Sequence, residues 1–183
     1  MSKEWYYSVE SFENGFAKIE IEYKKCNFLN TNGELVCKNK FFMHVNNFKG
    51  ELARVRNAGG NYNFIRTNGE LISDEWYTNA IQFKDGFAHV VRSEDGRHNF
   101  INEDGKAISS VWFMNSMNFF VNGFVRVLND ERTGWNFLGE DGKLIGDKWY
   151  EYAENFDKKG FAYVGINKRS KCKIDRFGNV ISD

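Results

Sequence analysis

At 183 residues, the chain has the length of one domain or of one short repeat array. Its 18 Phe residues and 17% aromatic content, with few Leu and Ala, argue against a helical bundle and favour strands, because aromatic and β-branched side chains suit a pleated surface. Lys plus Arg and Asp plus Glu both number 25, so the formal net charge is zero. A dedicated nucleic-acid-binding protein normally carries a basic excess, which makes that class less favoured.

The charges are unevenly distributed along the chain. Acidic residues concentrate near one end, at Glu4, Glu10, Glu13, Glu20 and Glu22. Basic residues concentrate near the other end, at Lys158, Lys159, Lys168, Arg169, Lys171, Lys173 and Arg176. Two interpretations stay open: a solvated surface, or a basic end that meets an acidic partner.

Targeting signals are not evident. The N-terminal segment has no apolar core of a secretory signal, and no run of about 18 apolar residues could cross a bilayer. The three cysteines, Cys26, Cys37 and Cys172, are an odd and sparse set that suits a reducing compartment. The sequence therefore predicts a cytoplasmic protein without a membrane partner.

One cassette occurs five times, and each copy begins with an aromatic pair: Trp5-Tyr6, Phe41-Phe42, Trp76-Tyr77, Trp112-Phe113 and Trp149-Tyr150. The steps between pairs are 36, 35, 36 and 37 residues. Residues that recur at a fixed period are candidates for scaffold. We number the copies units one to five, with approximate bounds 5–40, 41–75, 76–111, 112–148 and 149–183, and predict a single β-repeat domain over residues 1–183.

The sequence pattern of each unit predicts about three short antiparallel strands. An alternating stretch such as Phe87-Ala88-His89-Val90 places neighbouring side chains on opposite faces of a strand. We expect the small residue of this stretch to pack against a neighbouring unit and the polar residue, here His89, to face water. A hairpin follows, because Asn-Gly and Asp-Gly turns supply the positive φ that tight hairpins need; these are Asn32-Gly33, Asn68-Gly69, Asp104-Gly105 and Asp141-Gly142.

The period admits two architectures, an open elongated array or a closed five-bladed small propeller. Propeller blades usually have four strands and a longer repeat than this one. We therefore predict an all-β open array of five units of about 36 residues, with the closed propeller as the alternative.

The pattern resembles the WG-repeat (WG beta repeat) family of bacterial proteins over roughly residues 5–183. The resemblance implies an all-β scaffold with interaction roles. The chain departs from the family at its Trp-Gly signature, whose Trp is predicted at Cys26, Tyr62, His98, Trp135 and Cys172. The Gly is replaced by Asn27, Asn63, Asn99, Asn136 and Lys173.

No pattern predicts catalysis, a cofactor or a metal. The chain has no Cys-x-x-Cys or His-x-x-x-His spacing, no Gly-x-Ser-x-Gly motif and no glycine-rich phosphate loop. Cys26, His98 and Cys172 are predicted to share one cassette position and so to lie in one row. Tyr62 and Trp135 fill the same row, so we predict no metal site and a non-enzymatic protein.

Function in a repeat protein is expected where the units differ. The third residue of three units is a large apolar one, at Tyr7, Met43 and Met114, and unit four adds Met117 and Phe119. Unit five carries the basic residues Lys168, Arg169 and Lys171. Met and aromatic residues suit adaptable protein contacts, although these residues could instead pack against the adjacent unit. We take the eight as candidate partner-binding residues.

We expect a non-enzymatic scaffold that binds a macromolecular partner, most readily a protein, and that could inhibit a host or defence enzyme such as a CRISPR nuclease. A glycan-binding module is the first alternative, because cell-wall-binding repeats are also rich in Trp, Tyr and Gly-containing hairpins. Weak nucleic-acid binding through basic unit five, or through a nucleoprotein target, is the second alternative.

Overall fold

The computed structural model describes residues 5–181, which form strands and turns but no helix. Within that range, no helix is available to span a membrane. The units begin with the short strands β1 (Ser8–Val9), β4 (His44–Val45), β7 (Tyr77–Ala80), β10 (Asn115–Ser116) and β13 (Tyr152–Ala153). The second strands are β2 (Phe16–Glu22), β5 (Leu52–Arg56), β8 (Phe87–Arg92), β11 (Phe124–Leu128) and β14 (Ala162–Gly165). The third strands are β3 (Lys25–Asn30), β6 (Tyr62–Arg66), β9 (His98–Asn102), β12 (Trp135–Gly139) and β15 (Lys171–Ile174), and unit five adds β16 (Val180–Ile181).

The strands pair antiparallel in chain order. They form sheets β1–β3, β4–β9, β10–β12 and β13–β16. At each junction, the residue at the Trp position of the Trp-Gly signature forms a β-bridge with the second aromatic residue of the next unit. Examples are His98 with Phe113 and Trp135 with Tyr150. The all-β prediction is confirmed. Within residues 5–181 no strand of unit one pairs with a strand of unit five, so the sheets are not closed.

The core lies at the junctions between units, where a phenylalanine of one unit enters the preceding one. Phe120 packs on Phe87 and Phe100 of the preceding unit, with ring centroids 4.9 and 5.0 Å apart. Phe48 contacts Phe16 and Phe28 in the same way, and Phe156 contacts Phe124 and Phe137. The small residues of the second strands are buried there as predicted, at Ala17, Ala53, Ala88 and Ala162. Burying these aromatic rings is the main stabilising contribution at each junction.

In units one to four, a buried asparagine ties the third strand to the segment that leads into the next unit. In unit three, the Asn99 side-chain amide donates to the carbonyls of Ser109 at 2.9 Å and Val111 at 3.2 Å. Its oxygen accepts the Phe100 N–H at 2.8 Å. Asn27 and Asn63 also donate to two carbonyls each, whereas Asn136 donates to the carbonyl of Gly146; all three oxygens accept the N–H of the following phenylalanine. The asparagines that replace Gly of the Trp-Gly signature are therefore structural, because they satisfy backbone groups that the junction buries.

The strand register corrects one sequence prediction. Cys172 pairs with Val164 of β14, as Asn136 pairs with Val127 of β11. Cys172 thus occupies the asparagine position, and Lys171 occupies the position of Trp135. The prediction that Cys172 shares a row with Cys26 and His98 is wrong by one residue. Counting back from the hairpin glycine gives the correct register.

The hairpin glycines also set how closely units approach. Gly105 has a φ of +76°, and a Cβ added there would lie 2.3 Å from the carbonyl oxygen of Ile72 in the preceding unit. The same contact recurs at Gly142, where the distance to the Ile108 oxygen would be 1.8 Å. Glycine is therefore required both for the turn and for the contact between units.

Replacing Asn99 with Ala should destabilise the protein by about 2–4 kcal/mol, because two carbonyls and one N–H lose their buried partner. Equilibrium urea unfolding checks this value. Asn118→Ala is the matched control, since Asn118 is exposed. Equal midpoints for the two variants would contradict the structural role of Asn99.

Candidate functional site

A cleft of about 610 Å³ opens on unit five. Residues 148–150, which precede β13, line one side, and Arg169, Lys171 and Cys172 line the other. The loop between β14 and β15 supplies Arg169, and the first two residues of β15 are Lys171 and Cys172. We call this feature the unit-five cleft.

The unit-five cleft has a smaller counterpart in unit four, about 220 Å³ in volume and lined by Trp112, Phe113 and Asp130. Trp149 of unit five forms its remaining wall and packs against the core cluster that contains Phe113. A Cβ added at Gly134 would lie 2.7 Å from the Cβ of Trp149, so the tryptophan is closely fitted. The counterpart is therefore largely filled by the first aromatic residue of the next unit.

The same filling occurs at two earlier junctions. Trp112 stacks on Tyr77 with ring centroids 6.5 Å apart. Trp76 packs against the core cluster that contains Phe42. Within residues 5–181, no aromatic side chain of a following unit fills the unit-five cleft. In the described part of the chain, this cleft has the construction of the earlier sites but holds no tryptophan.

The unit-five cleft carries more positive than negative charge. Lys148, Arg169 and Lys171 line it, against the single carboxylate of Glu151. The ammonium group of Lys148 lies 5.3 Å from the centroid of the Tyr150 ring. Arg169 has no ion-pair partner within residues 5–181. The cleft thus combines an aromatic wall with a cation whose charge is not neutralised nearby.

Lys171 is held in place by its neighbours. Its ammonium lies 2.8 Å from Glu154 and 4.3 Å from the centroid of the Tyr163 ring. The hydrogen bond to Glu154 raises the pKa of Lys171, and the same bond, followed by one from the Tyr152 hydroxyl, lowers the pKa of Glu154. Both groups are exposed enough for solvent to screen the pair, so its role is to orient Lys171 rather than to stabilise the fold.

The structure brings together only part of the predicted partner-binding set. Arg169 and Lys171 line the unit-five cleft, and Lys168 is exposed on the same loop. Tyr7 is exposed in unit one, and Met43 is half-buried in unit two. These residues belong to separate units and do not form one surface with the cleft.

The remaining predicted residues lie in unit four. Met114 is half-buried, with its sulfur 3.4 Å from an Arg132 guanidinium nitrogen. Met117 and Phe119 are partly exposed, and the Lys84 ammonium lies 5.1 Å from the Phe119 ring centroid. Packing inside the chain thus accounts for part of the surface of Met114 and Phe119.

Sequence reasoning missed the aromatic wall of the cleft, Trp149 and Tyr150. Both recur in every unit and were therefore assigned to the scaffold. The repeat itself could have indicated these residues. The aromatic pair of each later unit packs on the pair of the unit before it, and within residues 5–181 no further pair packs on Trp149 and Tyr150.

A row of paired side chains runs along the units beside the junctions. In each pair, the polar residue of the second strand contacts the residue at the Trp position of the Trp-Gly signature. The guanidinium carbon of Arg54 lies 5.0 Å from the Tyr62 ring centroid, and that of Arg126 lies 5.8 Å from the Trp135 ring centroid. Unit five inverts the pair, with Lys171 over Tyr163. Arg54 also donates to the carbonyl of Ala80 in the next unit at 2.6 Å.

In unit three the pair consists of two histidines, which the sequence did not predict to meet. His89 Nε2 lies 2.9 Å from His98 Nδ1, so one shared proton joins them. The expectation that His89 faces water is wrong, since it is only 4% exposed. Burial, followed by the proximity of His98, lowers the pKa of His89 to about 4, and burial also lowers the pKa of His98.

The free energy of unfolding should fall as the pH drops from about 6.5 to about 4. Unfolded His89 binds a proton near its ordinary pKa, whereas the folded form resists protonation down to a pKa of about 4, so acid favours the unfolded state. The maximum loss from this group is about 3 kcal/mol. Urea titrations at several pH values check this prediction.

His89→Arg should remove this part of the pH dependence, because Arg54 and Arg126 show that the position accepts arginine. Asn118→Ala is the control, because Asn118 is exposed and carries no titrating group. An unchanged pH profile in His89→Arg would contradict the assignment.

Within residues 5–181, no group of three or more His, Cys, Asp or Glu side chains is arranged to hold a metal ion. No family model matches the chain, and no curated protein matches its sequence.

Several solved structures are similar at low identity. The computationally designed Ika8 protein has 12% identity and a TM-score of 0.43 over 94% of this chain and 56% of its own. Hsv2 of Kluyveromyces lactis has 10% identity and a TM-score of 0.42 over 96% of this chain and 63% of its own. The WD40 β-propeller domain of Doa1 has 11% identity and a TM-score of 0.37 over 94% of this chain and 66% of its own. The chain thus spans 56–66% of the length of these three structures.

Proposed function

We propose that the protein is a binding scaffold that captures a segment of a partner protein in the unit-five cleft. The captured segment presents one large aromatic side chain flanked by carboxylates. The observation that carries this proposal is that the cleft repeats a site which tryptophan occupies at three other junctions.

The aromatic part of the segment follows from the shape and lining of the cleft. Tyr150, which is 9% exposed, is the counterpart of Tyr77, on which Trp112 stacks, so an incoming aromatic ring that displaces the Lys148 ammonium can stack there. Burying a large aromatic side chain contributes about 1.5–3 kcal/mol, and a stacked pair adds about 0.5–1.5 kcal/mol. An aromatic anchor in a pocket is also the usual centre of a protein interface.

The acidic part of the segment follows from the charges around the cleft. Lys148 and Arg169 flank the aromatic wall, and exposed Lys168 extends the same charge along the loop. Arginine binds carboxylates with two parallel hydrogen bonds, which favours acidic side chains beside the anchor. Charges at such a rim mainly increase the association rate, and salt screens them.

Two observations favour a protein over the other partner classes. Several ring faces that a sugar would need are covered by cations, as Arg92 lies 4.6 Å from the Trp112 ring centroid. The cleft is poorly suited to binding a nucleic-acid backbone, because the carboxylate of Glu151 lines it and Lys171 is already paired with Glu154. The WG-repeat resemblance, which implies interaction roles, supports the same class of function. Inhibition of a host or defence enzyme, such as a CRISPR nuclease, would follow if the captured segment belonged to that enzyme.

Fluorescence anisotropy with short labelled peptides tests this function. A peptide with one Trp between Asp and Glu residues should bind, and replacing its Trp with Ala should weaken binding at least about tenfold, or about 1.4 kcal/mol. The double variant Lys148→Glu and Arg169→Glu should lose binding by at least the same factor. Lys158→Glu with Lys159→Glu is the matched control, because it changes the same charge on exposed residues outside the cleft.

The same assay separates the alternatives. Binding of a labelled oligosaccharide or a single-stranded oligonucleotide, without binding of the acidic peptide, would overturn the proposal. Equal affinity for the Trp and Ala peptides would show that the cleft does not select an aromatic anchor.

A further inference from the structure

Unit three departs from the repeated frame at two positions whose side chains touch. In units two and four, the polar residue of the second strand is an arginine that lies over an aromatic ring, as Arg54 lies over Tyr62. Unit three has His89 and His98 at these two positions. Two imidazoles therefore meet at a place where the other units use a cation and an aromatic ring.

The strand register places both histidines on one face of the sheet. β8 and β9 are antiparallel, and His89 is directly opposite Phe100, which is two residues from His98. Side chains two residues apart on a strand point the same way, and diagonal neighbours on adjacent strands are within reach of each other. The two rings come from different strands, so no His-x-x-x-His spacing revealed them.

The distance between the two rings suits a metal ion. His89 Nε2 lies 2.9 Å from His98 Nδ1. An imidazole nitrogen binds a transition metal at about 2.0–2.1 Å, so two nitrogens this far apart subtend an angle of about 90° at the ion. Adjacent ligands of square-planar Cu²⁺ or Ni²⁺ make this angle, whereas the ligands of tetrahedral Zn²⁺ are about 109° apart.

The two rings are in the chemical state that a metal ion requires. Burial lowers the pKa of both, so both are uncharged at neutral pH, and neutral imidazole is the form that binds metals. Within residues 5–181 neither ring forms an ion pair. When an ion binds, the proton between the rings moves to the outer nitrogen of its own ring, and no proton is released.

The surroundings also accommodate a positive charge. Arg54 and Arg126 place a guanidinium at the position of His89, and Arg54 Nη1 donates to the carbonyl of Ala80 in the next unit at 2.6 Å. An ion held by the histidines would supply in unit three the charge that arginine supplies in units two and four. His98 is half-buried, so water can reach the pair and fill the remaining coordination positions.

We propose that His89 and His98 form an exchangeable site for a divalent transition-metal ion that takes ligands at right angles, Cu²⁺ or Ni²⁺. Two protein ligands are fewer than the four of a structural zinc site, so the ion binds reversibly and the protein folds without it. The site is separate from the unit-five cleft, because both histidines lie in unit three and neither lines that cleft.

Isothermal titration calorimetry with Ni²⁺ tests this site, since Ni²⁺, unlike Cu²⁺, is not reduced by the three free thiols. The wild type should bind one Ni²⁺ ion at this site. His89→Arg and His98→Tyr should each weaken that binding at least about tenfold, because each removes a ligand. Both substitutions restore a residue found in unit two, which keeps the fold, and circular dichroism checks this.

His44→Gln is the matched control, because it removes the remaining histidine of the chain, which is exposed and lies in unit two. It should bind Ni²⁺ like the wild type. Excess Ni²⁺ should also raise the urea midpoint of the wild type and of His44→Gln but not of the two pair variants, because an ion that binds only the folded state stabilises it.

Three results would each overturn the inference. The first is a wild type that binds no Ni²⁺, or binds it no better than either pair variant. The second is loss of binding in His44→Gln, which would assign the ion to His44. The third is tighter binding of Zn²⁺ than of Ni²⁺, which would contradict the right-angle geometry. None of these results affects the peptide assay of the unit-five cleft.

Discussion

Each junction in this protein depends on a buried asparagine beside an inserted phenylalanine. The asparagine bonds the linker carbonyls that an apolar residue would leave unsatisfied, as Asn99 does for Ser109 and Val111. The phenylalanine can then be buried against the preceding strands, as Phe120 is. Neither contribution suffices alone, because burying the rings also buries the backbone that passes beside them.

The unit-five cleft is a consequence of this mode of assembly. A unit that covers its predecessor with an aromatic pair also exposes a matching site for its own successor. At unit four that site is filled by Trp149, whereas at unit five the corresponding site is open and carries basic residues. Folding and binding in such an array therefore use the same contacts, and a binding site requires no separate architecture.

Substitutions within the repeated frame change local chemistry without changing the fold. Where Arg54 reaches across to the next unit, His89 is shorter and pairs with His98 instead. That exchange replaces a permanent charge with a group that is neutral at physiological pH. In unit five, Lys171 takes the ring position and reverses the pair with Tyr163. Substitutions among these paired side chains therefore change the local charge, and the pH dependence of stability, in one unit without altering the others.

The sequence by itself determined the period, the strands, the glycine turns and the burial of the small strand residues, because these follow from local alternation and turn geometry. It also placed Arg169 and Lys171 among the candidate site residues. The spacing from the hairpin glycine also contains the correct register of Cys172, whereas only the tertiary structure decided that His89 is buried, since burial depends on partners distant in sequence. The tertiary structure likewise decided that the aromatic pair of unit five lines an open cleft. The aromatic pairs Trp112-Phe113 and Trp149-Tyr150 occupy the same positions of the repeat, but within residues 5–181 only the first is packed by an aromatic residue of a following unit.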